Sequence, residues 1–125
     1  MKNFRDLQIW SRSHQLTLEV YRLTQGFPKS ETYGHVSQMR RSVSSIPTNI
    51  AEGSGRNTEK DFARFLDNAM GSASELEYQL ILAHDLEYLS DDTYELTNRE
   101  LIEIKRMLNA FIQKLRTTNP LKANR

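Results

Sequence analysis

"SIPTNIAEGSGR", residues Ser45 to Arg56, sets a proline inside a run that otherwise reads as an amphipathic helix and closes on a Gly-Ser-Gly turn backed by an arginine. Two readings compete: a loop that cradles phosphate, or the joint between two helices. A phosphate loop needs glycines four residues apart, then Lys and Ser/Thr, between a strand and a helix. Here a helical pattern precedes the turn, and Arg56-Asn57 stands where Lys-Ser/Thr would be. The joint is the better reading. The apolar positions Val36, Met39, Val43, Ile46 and Ile50 recur by threes and fours and pass through Pro47 in phase. A proline there removes the N–H that would bond the Val43 carbonyl and costs about 3 kcal/mol in an exposed helix interior. The unbroken phase favours one kinked helix over a break restarted at Ser44 or Ser45, with the seryl side chains as expected partners of the freed carbonyl.

Working outward, the same period recurs three more times. A first helix is expected from Asp6 to Gln25, with Ile9, Leu16, Val20 and Leu23 on one stripe, widened by Trp10, Leu18 and Tyr21, and "GFPKS" ending it. The second starts near Thr32 or Tyr33. The third opens at Thr58 and Asp61, which have capping-box spacing, and carries Phe62, Leu66, Ala69, Ala73, Leu76, Leu80 and Ala83 to about Ser90. The fourth runs from about Asp92 to Arg116, with Leu101, Ile104, Leu108, Phe111 and Leu115 inward. Four such helices with short joints predict an all-α, antiparallel up-down-up-down four-helix bundle, a single domain over residues 1–116. Residues 117–125 read as a polar, disordered tail.

The chain of 125 residues has room for one core, and no apolar run approaches the roughly 18 residues of a membrane span. "MKNFRDLQIW" has no apolar secretory core, so a cytoplasmic location is expected. Net charge is only +1, but residues 1–64, 65–104 and 105–125 carry +4, −9 and +6. With no cysteine, disulfides, thiolate metal sites and cysteine nucleophiles are excluded. Di-iron bundles use Glu-x-x-His pairs, whereas Ser11, Thr32 and Ile81 precede His14, His35 and His84 at that spacing, so no metal is expected and the histidines read as surface or rim residues. The serines of "RRSVSSIP" have no histidine base placed by any sequence logic. The chain reads as a non-enzyme that needs no cofactor.

Leu7, Trp10, "YRLTQGFP" (Tyr21–Pro28), "QMRRSVSSIPTNIAEGSGR" (Gln38–Arg56) and "DFARFLDNAMGSASEL" (Asp61–Leu76) resemble the four helix bundle protein family, the 23S ribosomal RNA intervening-sequence proteins. The run from "SIPTNIAEG" into "AMGSASEL" is the specific part. His35 departs from the pattern, where an apolar residue is expected after the glycine. The resemblance implies a bacterial, cytoplasmic bundle that assembles into a ring-like homopentamer. The chain is also similar to the accessory protein of diversity-generating retroelements, which implies RNA or DNA and a protein such as a reverse transcriptase as partners. It supplies no catalytic residue.

Three expectations follow for sites. An up-down-up-down bundle gathers Lys2, Arg5, Arg12, Arg56, Lys60, Arg64, Lys114, Arg116, Lys122 and Arg125 at one end, against Asp6, Glu52, Glu59 and Asp61. The opposite, acidic end holds Glu31 and Glu100. Of the basic end, Arg56, Lys60, Arg64, Lys114 and Arg116 are the candidate contacts to nucleic-acid phosphate, without base readout. Antiparallel pairing about the glycine joint levels Arg41 with Gly71 and Gln38 with Ser74, so Arg40 or Arg41 is expected to reach Ser72 or Glu75 across a close approach at Gly71. Finally, Phe65, Leu82, Leu86 and Leu89 form a second apolar side on the third helix which, with Trp10 and Leu18, predicts an oligomer; a protein–protein scaffold without nucleic-acid binding is the alternative function.

Overall fold

The computed structural model describes residues 3–117. Four helices form an antiparallel bundle: α1 (Gln8–Thr24), α2 (His35–Ser54), α3 (Glu59–Asp85) and α4 (Asp91–Thr117). Short 3-10 turns at Phe4–Asp6 and Lys29–Glu31 precede α1 and α2. Those turns explain why both helices start later than the periodicity suggested. The expected tail began at Thr117, which instead closes α4; its remainder, 118–125, lies outside the described residues, as do Lys2, Lys122 and Arg125.

The core follows most of the stripes read from the sequence, with Leu23 and Phe111 only half-buried and Phe27 and Ile112 buried in addition. Val20, Met39, Val43, Ile46, Ile50, Leu66, Leu76, Leu80, Leu101, Ile104 and Leu108 are fully enclosed. The stripe on α2 crosses Pro47 without a break, and the helix is continuous. The freed carbonyl finds a different partner from the one expected. Val43 O accepts the hydroxyl of Thr17, from α1, at 3.2 Å. The neighbouring serines bond elsewhere: Ser44 Oγ donates to Arg41 O, and Ser45 Oγ accepts from Asn49 and from Ser72.

The close approach of α2 and α3 also lies elsewhere. A Cβ on Gly53 would sit 2.8 Å from Phe62 Cδ1 and 2.8 Å from Phe65 Cβ, while one on Gly71 would meet nothing within 4 Å. Gly53 is where the two backbones draw together, because α3 starts directly beside the end of α2. The α3/α4 turn is closed by backbone bonds from Glu87 N to His84 O and from Tyr88 N to Ala83 O, with Glu87 at φ 65°. This left-handed residue stops α3 at Asp85, short of the expected Ser90, and turns Leu89 into the core.

Two further expectations are corrected. His35 is buried, not at the rim: its Nε2 lies 2.9 Å from the carbonyl of Gln79, and its ring meets Phe27 and Tyr88. Phe65 and Leu89 are buried within the single bundle, so the second apolar side of α3 shrinks to half-buried Leu82 and exposed Leu86.

Candidate nucleic-acid interface

The first turn of α3 and the last turns of α4 meet at one end of the bundle. Thr58 caps α3 by accepting the Asp61 N–H at 3.1 Å. The Asp61 carboxylate does not complete a capping box. It accepts from Arg64 at 2.9 Å and lies 3.8 Å from Arg56. Both guanidinium groups sit over the ring of Phe65, at 4.5 and 4.6 Å. Arg56 also pairs with Glu52 at 3.1 Å. Across the helix pair, Arg116 reaches Asp67.

These side chains border an open cleft of about 780 Å³ whose walls include Lys60, Arg64 and Arg116 together with Glu59, Asp61 and Asp67. Three of the five candidate contacts thus share one site, and Arg56 joins it through Asp61. Lys114 is exposed on the last turns of α4, and neither it nor Lys60 has an ion pair among the described residues.

The end is less basic than the sequence suggested. Arg12 belongs elsewhere, since its guanidinium grips both oxygens of Glu100 at 2.9 and 2.8 Å. That bond joins a residue assigned to the basic end with one assigned to the acidic end, and it holds the Arg12 charge more firmly than usual. Asp67, absent from the sequence reading, neutralises Arg116. Six cations (Arg5, Arg56, Lys60, Arg64, Lys114, Arg116) therefore face five carboxylates (Asp6, Glu52, Glu59, Asp61, Asp67) among the described residues. Asp67 could have been found from its spacing on the α3 face that α4 must cover.

The polar contact expected between α2 and α3 takes another form. Arg40 turns to α1, donating to Thr24 Oγ1 at 2.9 Å and to Tyr21 O at 3.2 Å, with its guanidinium 4.7 Å over the Tyr21 ring. Arg41 is exposed and makes no contact with Ser72 or Glu75. Ser72 bonds Ser45 at 2.8 Å, and Gln38 and Glu75 line a common cleft without touching each other.

Among the described residues no group of three or more His, Asp or Glu side chains is placed to hold a metal, and no helix is long and apolar enough to cross a membrane. No curated protein matches the chain. A crystal structure of a protein of unknown function from the S23 ribosomal protein family of Bacteroides thetaiotaomicron superposes with a TM-score of 0.76 at 27% identity, covering 84% of this chain and 98% of that one. The model of the 23S rRNA-intervening sequence protein family matches residues 5–110. With nearly the whole bundle inside that match, the chain belongs to the 23S rRNA-intervening sequence protein family.

Proposed function

We propose that the protein is a non-enzymatic helical module that binds RNA or DNA through the α3/α4 cleft, by phosphate contacts and with little sequence preference. The observation that carries this reading is the convergence of Lys60, Arg64 and Arg116 on one open cleft at the positive end of α3. The carboxylates there make the site a selective one for polyanions. A phosphate chain must draw Arg64 from Asp61 and Arg116 from Asp67, which a single small anion does poorly and a polymer does by adding contacts. Binding should therefore be weak and steeply salt-dependent. The test is RNA affinity across a salt series. Lys60→Glu and Lys114→Glu, both on exposed lysines, should each lower the salt slope by about one phosphate contact. Affinity that is flat in salt, or unchanged in both variants, refutes the reading.

Assembly is the companion reading. Trp10, His14, Leu18 and Tyr21 form an outward stripe on α1, with Leu18 and Tyr21 40% and 41% exposed and the Trp10 and His14 rings stacked at 5.0 Å. The homopentamer implied by the family resemblance would cover it, and a protein partner such as a reverse transcriptase is the alternative occupant. Light scattering at micromolar concentration decides between them, because a monomer mass excludes self-assembly through this face.

A further inference from the structure

Away from the α3/α4 end, a cleft of about 370 Å³ opens between the start of α2 and the second half of α3. It has three properties that point the same way. Its walls include two carboxylates, Glu31 and Glu75, and among the described residues no lysine or arginine borders it. Its lip is apolar, with Tyr78 62% and Leu86 46% exposed. Its inner wall holds two polar side chains that are more than nine-tenths buried, His35 and Gln79, and each has an atom without a partner: His35 Nδ1 and Gln79 Oε1.

The kind of partner these atoms require follows from the bonds already made. His35 Nε2 faces the Gln79 carbonyl, which can only accept, so Nε2 carries a proton, and in the tautomer with its single proton there Nδ1 is an acceptor. Gln79 Oε1 is an acceptor as well. Glu31 accepts the Tyr88 hydroxyl at 2.8 Å, and Glu75 is exposed without an ion pair. The cleft therefore offers two carboxylates and unpaired acceptors beside an apolar margin, and its donors, the amides of Gln38 and Gln79 and the Tyr78 hydroxyl, are all neutral. Anions and nucleotides do not fit that pattern. A cation with several N–H groups on a short alkyl stem does: the head meets Glu75 and the Gln79 amide, and the stem lies on Leu86 and the face of Tyr78.

We infer that this cleft is a binding site for an alkylguanidinium or alkylammonium group. The unpaired atoms are enclosed in the present side-chain positions, so binding turns the Gln79 amide outward to meet the head group and relieves an unsatisfied buried acceptor. The site is separate from the α3/α4 cleft and does not depend on nucleic-acid binding.

The test is an NMR titration of the isotope-labelled full chain with agmatine and, separately, with N-acetylarginine amide. Saturable shifts at His35, Gln79 and Tyr78 are expected. Tighter binding of agmatine identifies a free amine as the natural source, and equal binding of the capped arginine identifies a side chain of a partner protein. Glu75→Gln, at an exposed position, should weaken agmatine about tenfold, the loss of one charge-assisted hydrogen bond. Gln79→Met should raise the melting temperature by removing the unpaired oxygen, and at the same time abolish binding. The inference is overturned if neither probe saturates, or if either variant binds agmatine as the wild type does.

Discussion

Replacing Thr17 with valine tests how a helix keeps running through a proline. Pro47 has no N–H, so the Val43 carbonyl lacks its helical donor, and it is buried at the α1/α2 contact. The Thr17 hydroxyl donates to it at 3.2 Å, while the same hydroxyl lies 2.8 Å from Ser13 O. One proton serves both oxygens, but they are not equally dependent on it. Ser13 O already receives the Thr17 N–H in the ladder of α1, whereas Val43 O has lost its helical donor at Pro47. Valine keeps the shape and removes the proton, so Thr17→Val should cost about 1–2 kcal/mol, most of it the penalty for one unsatisfied buried carbonyl. In a Pro47→Ala background the new N–H meets Val43 O, and the same change should cost only a few tenths of a kcal/mol. The difference, a coupling of about 1 kcal/mol, is measurable by urea denaturation followed by helical circular dichroism at one protein concentration. Equal costs in both backgrounds would refute the claim that α1 completes the hydrogen bonding of α2.

Glycine to alanine should have opposite signs at two positions. Gly53→Ala forces Phe62 Cδ1 and Phe65 Cβ away from 2.8 Å and should destabilise by about 1–2 kcal/mol, whereas Gly71→Ala enters open space and should stabilise by about 0.5–1 kcal/mol; matching signs in thermal melts would count against the packing described. Glu87→Gly relieves the left-handed backbone at φ 65° and should raise stability by up to about 1 kcal/mol, read by the same melts. The Tyr88 hydroxyl, and then the His35 N–H, hold the Glu31 carboxyl below its ordinary 4.5, and the same bond to Glu31 raises the Tyr88 phenol above its ordinary 10.0. The Glu31 share of stability is complete above pH 4.5 and fades as pH falls through the lowered value, and the Tyr88 share is complete below pH 10.0 and fades as pH rises through the raised one. Tyr88→Phe should flatten both limbs of the stability profile, and limbs identical to wild type would rule the bond out.

What the chain discloses by itself is whatever depends on neighbours three or four residues away. The stripe from Val36 to Ile50 could be followed through Pro47 because helical phase is local, and each core position on it is buried. The identity of the carbonyl's partner could not be, since Thr17 lies 26 residues earlier. Gly53 and Gly71 look alike in sequence, each a glycine in a helix, and only the crossing point of α2 and α3 separates the one that is needed from the one that is tolerated. The candidate cations Lys60 and Arg64 could be placed because both lie in the first turns of α3. Their neutralising carboxylates were harder to place, because Asp67 meets Arg116 from 49 residues away. His35 read as a rim residue for the same reason: its hydrogen-bond acceptor, the carbonyl of Gln79, belongs to another helix.

The blocks of charge along the chain serve the pairing of helices before they serve any partner. Lys105 meets Glu77 at 2.7 Å, Arg116 meets Asp67 and Arg12 meets Glu100, so each bond crosses from a basic block to the acidic one. Partly exposed pairs of this kind contribute about 0–1 kcal/mol each, too little to hold the bundle together. They discriminate better than they stabilise. A slip of α4 along α3 by one turn, about 5.4 Å, would set Arg116 against Ala63 or Gly71 and Lys105 against Ala73 or Ile81, with no carboxylate at any of the four. The apolar stripes alone tolerate such a slip, because small and branched residues repeat along both helices with the same period. Charge that fixes register in this way is already spent on an internal partner. On α3 and α4 that leaves Lys60 and Lys114 as the cations of this end with no ion pair among the described residues, and a phosphate chain that binds there must be recruited by those two before it can compete for Arg64 and Arg116.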